Sequence, residues 1–381
     1  MKQRLGDYIK EYSARNKNNE DIPVYSVTNT HGFCKDYFGK EVASKDKTTY
    51  KIVPQGCFAY NPSRINVGSV DWQRDQEKVI VSPLYNVFSV SDKLDNQYLY
   101  YYLKSNSTLQ RIRAVAIGSV RDNLKLDMLF EFPINVYELQ IQKEIAYLLD
   151  KVKKVMGQKE EELRKLDELI KARFVEMFGD MADPRCKWDK CRLVDACADP
   201  NDIKCGPFGT QLGKDEYTDS GIEVWEIPQI NSEFKTMPTH FVTKEKALNL
   251  EQYSIRPGDI AMSRKGNVGR CAVFPESFEE GIIHSDVLRI RVDDSRVAPE
   301  FMMRQLHYSG DIQHQIELVS SGAIMAGINV TKLKDIFVYV PPKALQDEFV
   351  SFVKQTDKSK VIVMKMLLQV FFMNLRERTY G

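Results

Sequence analysis

Apolar positions along the 381-residue chain follow two periods, and the longer one organises the molecule. From Leu139 to Phe178, Ile145, Leu149, Val152, Met156, Leu163, Leu166, Ile170 and Met177 keep alternating spacings of four and three, interrupted only by Lys159 and Arg173. That is the seam of a coiled-coil helix of about 40 residues, roughly 60 Å long. Gly179, Asp180 and the nearby Pro184 supply its C-terminal stop. A second long helix is predicted from about Pro342 to Arg378, with Phe349, Phe352, Val353, Val363, Met366, Leu367, Val370 and Met373 on a broader apolar face. Neither stripe is stable alone, so the expected packing sets each helix against the other.

The remaining sequence reads as short strands and short helices, and it is written twice. "IPVYSVTN" at 22–29 aligns with "IEVWEIPQ" at 222–229, a period-two pattern that predicts a half-buried strand in each half. "GCFAYNPSRINVGS" aligns with "GDIAMSRKGNVGR", matching Gly56 to Gly258 and Gly68 to Gly269. "NQYLYYYLKS" at 96–105 and "PEFMMRQLHY" at 299–308 are paired amphipathic helices. Asn123 then faces Asn329 and Gln142 faces Gln346, with the offset drifting only from 200 to 206. Anchors in one order at a near-constant offset indicate an internal duplication. The expected fold is mixed α/β: two globular units at 1–137 and 181–340, separated by long antiparallel helices at 138–180 and 341–381, with pseudo-twofold symmetry.

Composition narrows the function. A hydrophobic content of 43% with 10% aromatic residues fits folded globular domains. The formal net charge of +1 argues against coating nucleic acid through bulk positive charge, so any such contact must be local. The opening residues carry no signal-peptide pattern, and "VIVMKMLLQVFFM" at 361–373 is too short and too polar to span a bilayer, which suggests a cytoplasmic protein. Seven cysteines include no C-x-x-C pair. Cys186, Cys191, Cys197 and Cys205 cluster in sequence, but they read as reduced thiols, and no metal is expected.

Three groups of polar loop residues suit contact with an anionic polymer. In 258–274, Arg264, Lys265 and Arg270 offer charge, Ser263 and Asn267 offer neutral donors and acceptors, and Gly266 and Gly269 permit close backbone approach. Asn61, Arg64 and Asn66 hold the matching place in the first half. Residues 204–217 form an insertion of about 12 residues, which the first half lacks. Within it Lys204, Thr210, Gln211 and Lys214 surround a Gly-Pro turn, either as readers or as a structural loop that buries Phe208. The third group sets Ser119, Arg121 and Asn123 against Ile324 and Met325, with the asparagines also suited to capping helices.

Catalytic patterns are missing from the sequence. "NPSR" at 61–64 lacks the second proline and the aromatic of an adenine-methyltransferase motif, and Asp202 with Lys204 makes only the tail of a nuclease triplet. No phosphate-binding glycine loop and no Ser, His and Asp set is present. The chain reads as a binder, with an autonomous DNA-modifying enzyme or a coiled-coil scaffold as the competing readings.

The order of "RLGDYIKEYSARNK", "RFVEMFGD", "GPFGTQL", "GIEVWEIPQIN", "PGDIAMSRKGNVGRCAVFPE" and "GINVTKLKDIFVYVPPKALQDEF" resembles the DNA-specificity subunit of type I restriction-modification systems along essentially the whole chain. The resemblance implies two target-recognition domains, each reading half of a bipartite site in double-stranded DNA, and a helical spacer that sets the gap. Two such heads would lie about one helical turn, or a small multiple of it, apart on the duplex. It also implies a non-catalytic adaptor for two methyltransferase subunits and, in the full complex, restriction and translocase subunits. S-adenosylmethionine, ATP and Mg would belong to those partners, with no cofactor in this chain. "PINVYEL" at 133–139 lacks the Pro-Pro of "VYVPPKAL", and the first half lacks "GPFG", so the two half-sites should differ.

Overall fold

The computed structural model describes residues 2–35, 46–116, 123–181, 183, 186–320 and 327–379, with side chains to residue 367. The chain divides into two compact units, Met1–Gln158 and Lys159–Gly381.

The first unit carries β1 (Gln3–Arg4), β2 (Ile9–Glu11), β3 (Tyr25–Thr28), β4 (Gly32–Lys35), β5 (Lys51–Pro54), β6 (Phe58–Tyr60), β7 (Val70–Trp72), β8 (Lys78–Val81) and β9 (Asn86–Val90). Helices α1 (Asn96–Leu103), α2 (Asn106–Val115) and α3 (Leu126–Phe130), strand β10 (Pro133–Ile134) and the start of α4 (Leu139–Phe178) follow. Strands β2, β9, β6 and β7 form one antiparallel sheet in that order. The pairs β3–β4 and β5–β8 are joined by a parallel bridge from Val24 to Ile80, and β1 pairs with β10.

The second unit has β11 (Asp189–Arg192), β12 (Ile203–Cys205), β13 (Ile222–Trp225), α5 (Ile227–Asn231), β14 (Phe241–Val242), α6 (Lys244–Asn249), β15 (Ser254–Ile255), β16 (Ile260–Ser263) and β17 (Cys271–Val273). It continues with β18 (Gly281–Ile283), β19 (Val287–Ile290), α7 (Pro299–Tyr308), α8 (Gly310–Ser320), α9 (Val330–Lys334), β20 (Phe337–Val340) and α10 (Lys343–Thr379). The sheet orders are β12-β19-β16-β17, β14-β13-β18-β15 and β11-β20. Each strand of the first unit thus has a counterpart numbered ten higher, and the parallel Val24–Ile80 bridge recurs as Val224 opposite Ile282.

Local chemistry explains the recurrence. Gly56 and Gly258 enter β6 and β16 at φ of 83° and 90°, and Gly68 and Gly269 precede β7 and β17 at 88° and 82°. These are left-handed conformations that glycine adopts without steric cost. Alternation along the strands then buries both faces of the large sheet. Phe58 and Tyr60 pack toward α1 to α3 while Ala59 joins Val27, Val53 and Val79 on the other side. In the second unit Ile260 and Met262 take the helical side, and Ala261 joins Val224 and Trp225.

Two expectations change. Leu124 donates its N–H to Pro62 O and Ile328 donates to Arg264 O, both at 3.1 Å, so the equivalent residues are 124 and 328, and Asn123 does not face Asn329. Asn329 does cap α9, accepting from Thr331 and Lys332. The 204–217 stretch is no insertion of about 12 residues, because the β2–β3 connection, 12–24, fills the place of the β12–β13 connection, 206–221. A further anchor escapes the constant-offset alignment: "RLGD" at 4–7 and "RLVD" at 192–195, whose fully buried Leu5 and Leu193 each donate N–H to a carbonyl at 2.8 Å, Phe132 O and Ile336 O.

The long helices begin in the same way in both units. Gln142 is fully buried; its Oε1 accepts from Asp95 N, and its Nε2 donates to Lys93 O and Tyr137 O, at 2.8–2.9 Å. Gln346 repeats this with Ala298 N, Arg296 O and Pro341 O at 2.7–3.1 Å. Along the seam of α4, Ile170 is buried and Ile145, Leu149, Val152, Met156, Leu163 and Leu166 are half-buried. On α10, Phe349, Val353 and Val363 are buried and Leu367 is half-buried, while the Val370 side chain lies outside the described residues. Within the second unit the two helices pack antiparallel. Asp167 pairs with Lys360 at 2.6 Å, and Arg173, a break in the seam, pairs with Glu348 at 2.9 Å.

One half-buried histidine gives the second unit a pH dependence. His307 Nε2 accepts the Cys271 N–H at 3.2 Å, and burial, helped by Arg270 and Arg304, pulls its pKa down to about 4. The unfolded chain, with an imidazole near pKa ~6.5, takes up the proton first as pH falls. The contribution is therefore complete above about pH 6.5 and is lost between about 6.5 and about 4. Urea midpoints for the second unit should fall through that window, and His307→Gln should flatten the decline; an unchanged slope would remove His307 as its source.

Candidate nucleic-acid interface

Antiparallel neighbours bring loops that are distant in sequence to one end of each large sheet. In the second unit the ends of β12 and β16 meet the starts of β17 and β19, with Cys205 opposite Leu288, Ser263 opposite Val287 and Met262 opposite Cys271. Residues 206–221, 264–270 and 284–286 therefore leave from the same edge. In the first unit, residues 12–24, 61–69 and 82–85 do the same.

The cations of the second edge have different surroundings. Lys265 pairs with Asp286 at 2.8 Å and Arg270 with Glu233 at 3.0 Å, with both side chains nearly half exposed. Pairs this exposed contribute about 0–1 kcal/mol, so a phosphate can replace the carboxylate at little cost. Arg264 is half-buried: Nε donates to Ile328 O at 3.1 Å and Nη1 to Cys205 Sγ at 3.6 Å, and the guanidinium lies 5.4 Å from the Phe208 ring centre. Burial holds the Cys205 thiol above its ordinary pKa, so it stays protonated and donates to Ser285 O at 3.1 Å.

Lys204 donates to Gln252 Oε1 at 2.7 Å and lies 5.3 Å from the Tyr253 ring. Burial, with Arg289 and Lys334 nearby, lowers its pKa. Gln211 Oε1 accepts from Tyr253 Oη at 2.9 Å and from Phe208 N at 3.2 Å, so it shapes its own loop, whereas Thr210 and Asn267 are exposed. One expectation fails here. Ser263 is fully buried at the end of β16 and presents no hydroxyl to the surface, because the strand continues through it in register with Val287. Phe208, buried only in the alternative that makes 204–217 a purely structural loop, is 54% exposed.

In the first unit, Asn61 spends Oδ1 on Ser63 N and Oγ, at 3.1 and 2.9 Å. Arg64 is exposed, and half-buried Asn66 accepts Arg113 Nε through its backbone oxygen at 3.2 Å. Ser119 and Arg121, like Ile324 and Met325, lie outside the described residues. Sequence reading missed an open groove of about 910 Å³ lined by Lys10, Glu11, Tyr12, Arg15 and Lys17 among others. These residues share no period. The turn that gathers them is closed by Asn16, whose side chain bonds Glu20 N and O, each at 2.9 Å.

All seven cysteines are free thiols, and no group of three or more metal-type ligands occurs among the described residues. Nor is any helix among them long and apolar enough to cross a membrane. The end of each sheet is an array of hydrogen-bond donors and cations on braced turns, suited to holding phosphates and base edges.

Residues 6–165 match the family model of the type I restriction modification DNA specificity domain. No curated protein matches the chain. Among solved structures it is similar to a protein from work on complex assembly and conformational transition of the type I R-M system, at 17% identity, 98% coverage of this chain, 95% of that one and a TM-score of 0.58. It is also similar to the S subunit of the type I restriction-modification system from M. genitalium, at 15% identity, 98% and 93% coverage and a TM-score of 0.57. Likeness at these identities establishes the fold, and the family model supplies the kind of domain. The specificity-domain match thus covers residues 6–165, and the fold similarity to type I S subunits runs along nearly the whole chain.

Proposed function

We propose that each unit reads one half of an asymmetric bipartite DNA target through the loops at one end of its four-stranded sheet, while the long helices set the gap and dock two methyltransferase subunits. The chain itself is non-catalytic and works in the cytoplasm. Restriction and translocase subunits join in the full complex, and S-adenosylmethionine, ATP and Mg serve those partners.

The observation that carries this reading is a duplicated scaffold with diverged loops. The sheets and the Gln142 and Gln346 anchors coincide, yet Arg264 stands where the first unit has Pro62, since these carbonyls accept the equivalent Ile328 and Leu124 N–H groups. Conserving the frame while changing the groups at its tips is how one fold reads two sequences.

The test is a map of modified adenines after co-expression with the methylating subunit. The expected result is a split motif with a fixed gap, of which one half changes when residues 181–340 are exchanged for those of a relative. A continuous motif, or one indifferent to the exchange, would refute the reading.

A further inference from the structure

The second unit's edge contains one exposed aromatic ring next to a positioned guanidinium, and the two are held by independent means. The Phe208 turn is braced: Phe208 O accepts from Gln211 N at 2.7 Å and Leu212 N at 3.2 Å, and Leu212 is buried. Gly206 lies so close to the neighbouring strand connection that a Cβ there would sit 2.3 Å from His284 O. A large apolar side chain left 54% exposed on a turn this fixed is not a frayed loop tip. Arg264 is oriented by Ile328 O and Cys205 Sγ, and its Nη2 bonds no partner among the described residues. The neighbouring Lys265 and Arg270, in contrast, are themselves exposed and held by the half-buried Asp286 and the exposed Glu233, which a phosphate can displace.

We propose that Phe208 and Arg264 form a base-reading couple, with the guanidinium addressing the major-groove edge of a guanine and the ring lying against the adjacent base, while Lys265 and Arg270 hold the phosphates. The proposal rests on the DNA-specificity reading above and assigns roles within it. A phosphate needs charge but not a fixed plane, and an exposed phenyl ring offers it nothing. A guanine O6 and N7 edge needs a planar donor pair held in place, and a base face or thymine methyl gains from an aromatic neighbour. Because Pro62 occupies the place of Arg264 in the first unit, the couple acts on one half of the target only.

The experiment maps adenine methylation by the full chain assembled with its methylating subunit, comparing the parent with Arg264→Ala, Arg264→Lys and Phe208→Ala. Modification at sites that depart from the motif at one guanine of one half should rise roughly tenfold or more. Lysine should not restore the discrimination, since it lacks the planar fork. Phe208→Ala should relax the same position or its neighbour, and the other half of the motif, intact in every variant, reports that the protein is folded. The couple is refuted if the motif is unchanged, if Arg264→Ala weakens all sites equally and lysine restores them, or if the variants lose every site together. If exchanging residues 181–340 moves one half while these variants do not, only the couple fails; if the exchange moves nothing, the specificity reading fails first.

Discussion

Phe174→Ala is expected to destabilise the second unit by about 3–5 kcal/mol, the range for removing a fully buried phenyl ring. Phe174 is 2% exposed, and its ring centre lies 5.0–5.9 Å from those of Phe178, Phe301, Tyr308 and Phe349. These side chains come from α4, α7 and α10, so the ring closes the junction between both long helices and the globular core. The lost transfer energy and the cavity add, because a junction clamped from three directions has little freedom to collapse. Urea unfolding followed through Trp188 and Trp225 measures the effect, and a loss below about 1 kcal/mol would show that the junction repacks.

Replacing either buried glutamine should have a comparable effect confined to its own unit. Gln346→Leu fills the space but leaves Ala298 N, Arg296 O and Pro341 O without their partner. Gln142→Leu does the same to Asp95 N, Lys93 O and Tyr137 O. At about 1–3 kcal/mol for each stranded group, partly relieved by relaxation, a loss of about 3 kcal/mol is expected. Hydrogen exchange provides the local measurement: residues 296–301 lose protection in Gln346→Leu and residues 93–98 in Gln142→Leu. Equal protection in parent and variant would mean that water or a shifted backbone replaces the amide.

The helix results show how far periodicity reaches. The four-and-three spacing located α4 and its seam because a helix repeats its face through local geometry. It did not single out Phe174 and Phe178, which follow Ile170 at spacings of four and pack against Phe301 of α7 as well as Phe349 of α10. One helix here serves two burial surfaces, and a heptad describes only one. Arg173 also reads differently in place: its break in the apolar stripe is bridged by Glu348, and its guanidinium lies 5.8 Å from the Phe352 ring.

The interface was less legible than the frame. Lys204, Thr210 and Gln211 and the 264–270 residues were identifiable as polar loop groups, and strand pairing puts their loops on one edge. Which of them are available depends on partners distant in sequence. Ser263 is closed off by its strand register, Lys204 is engaged by Gln252, and Arg264 is oriented by Ile328 and Cys205. Phe208 carried no signal of exposure, since an apolar residue in a Gly-Pro turn is ordinarily read as buried.

The sequence by itself determined the two long helices, the duplication, and the glycines at Gly56, Gly68, Gly258 and Gly269, because periodicity and left-handed turns are written in neighbouring residues. Tertiary structure alone decided that Gln142 and Gln346 anchor their helices in buried carbonyl cages, that Lys10, Arg15 and Lys17 share a groove, and that Phe208 meets Arg264. Those outcomes depend on contacts between residues distant in sequence, set by which strands pair and at what register; a register one residue away in β2, for example, would turn Lys10 to the opposite face.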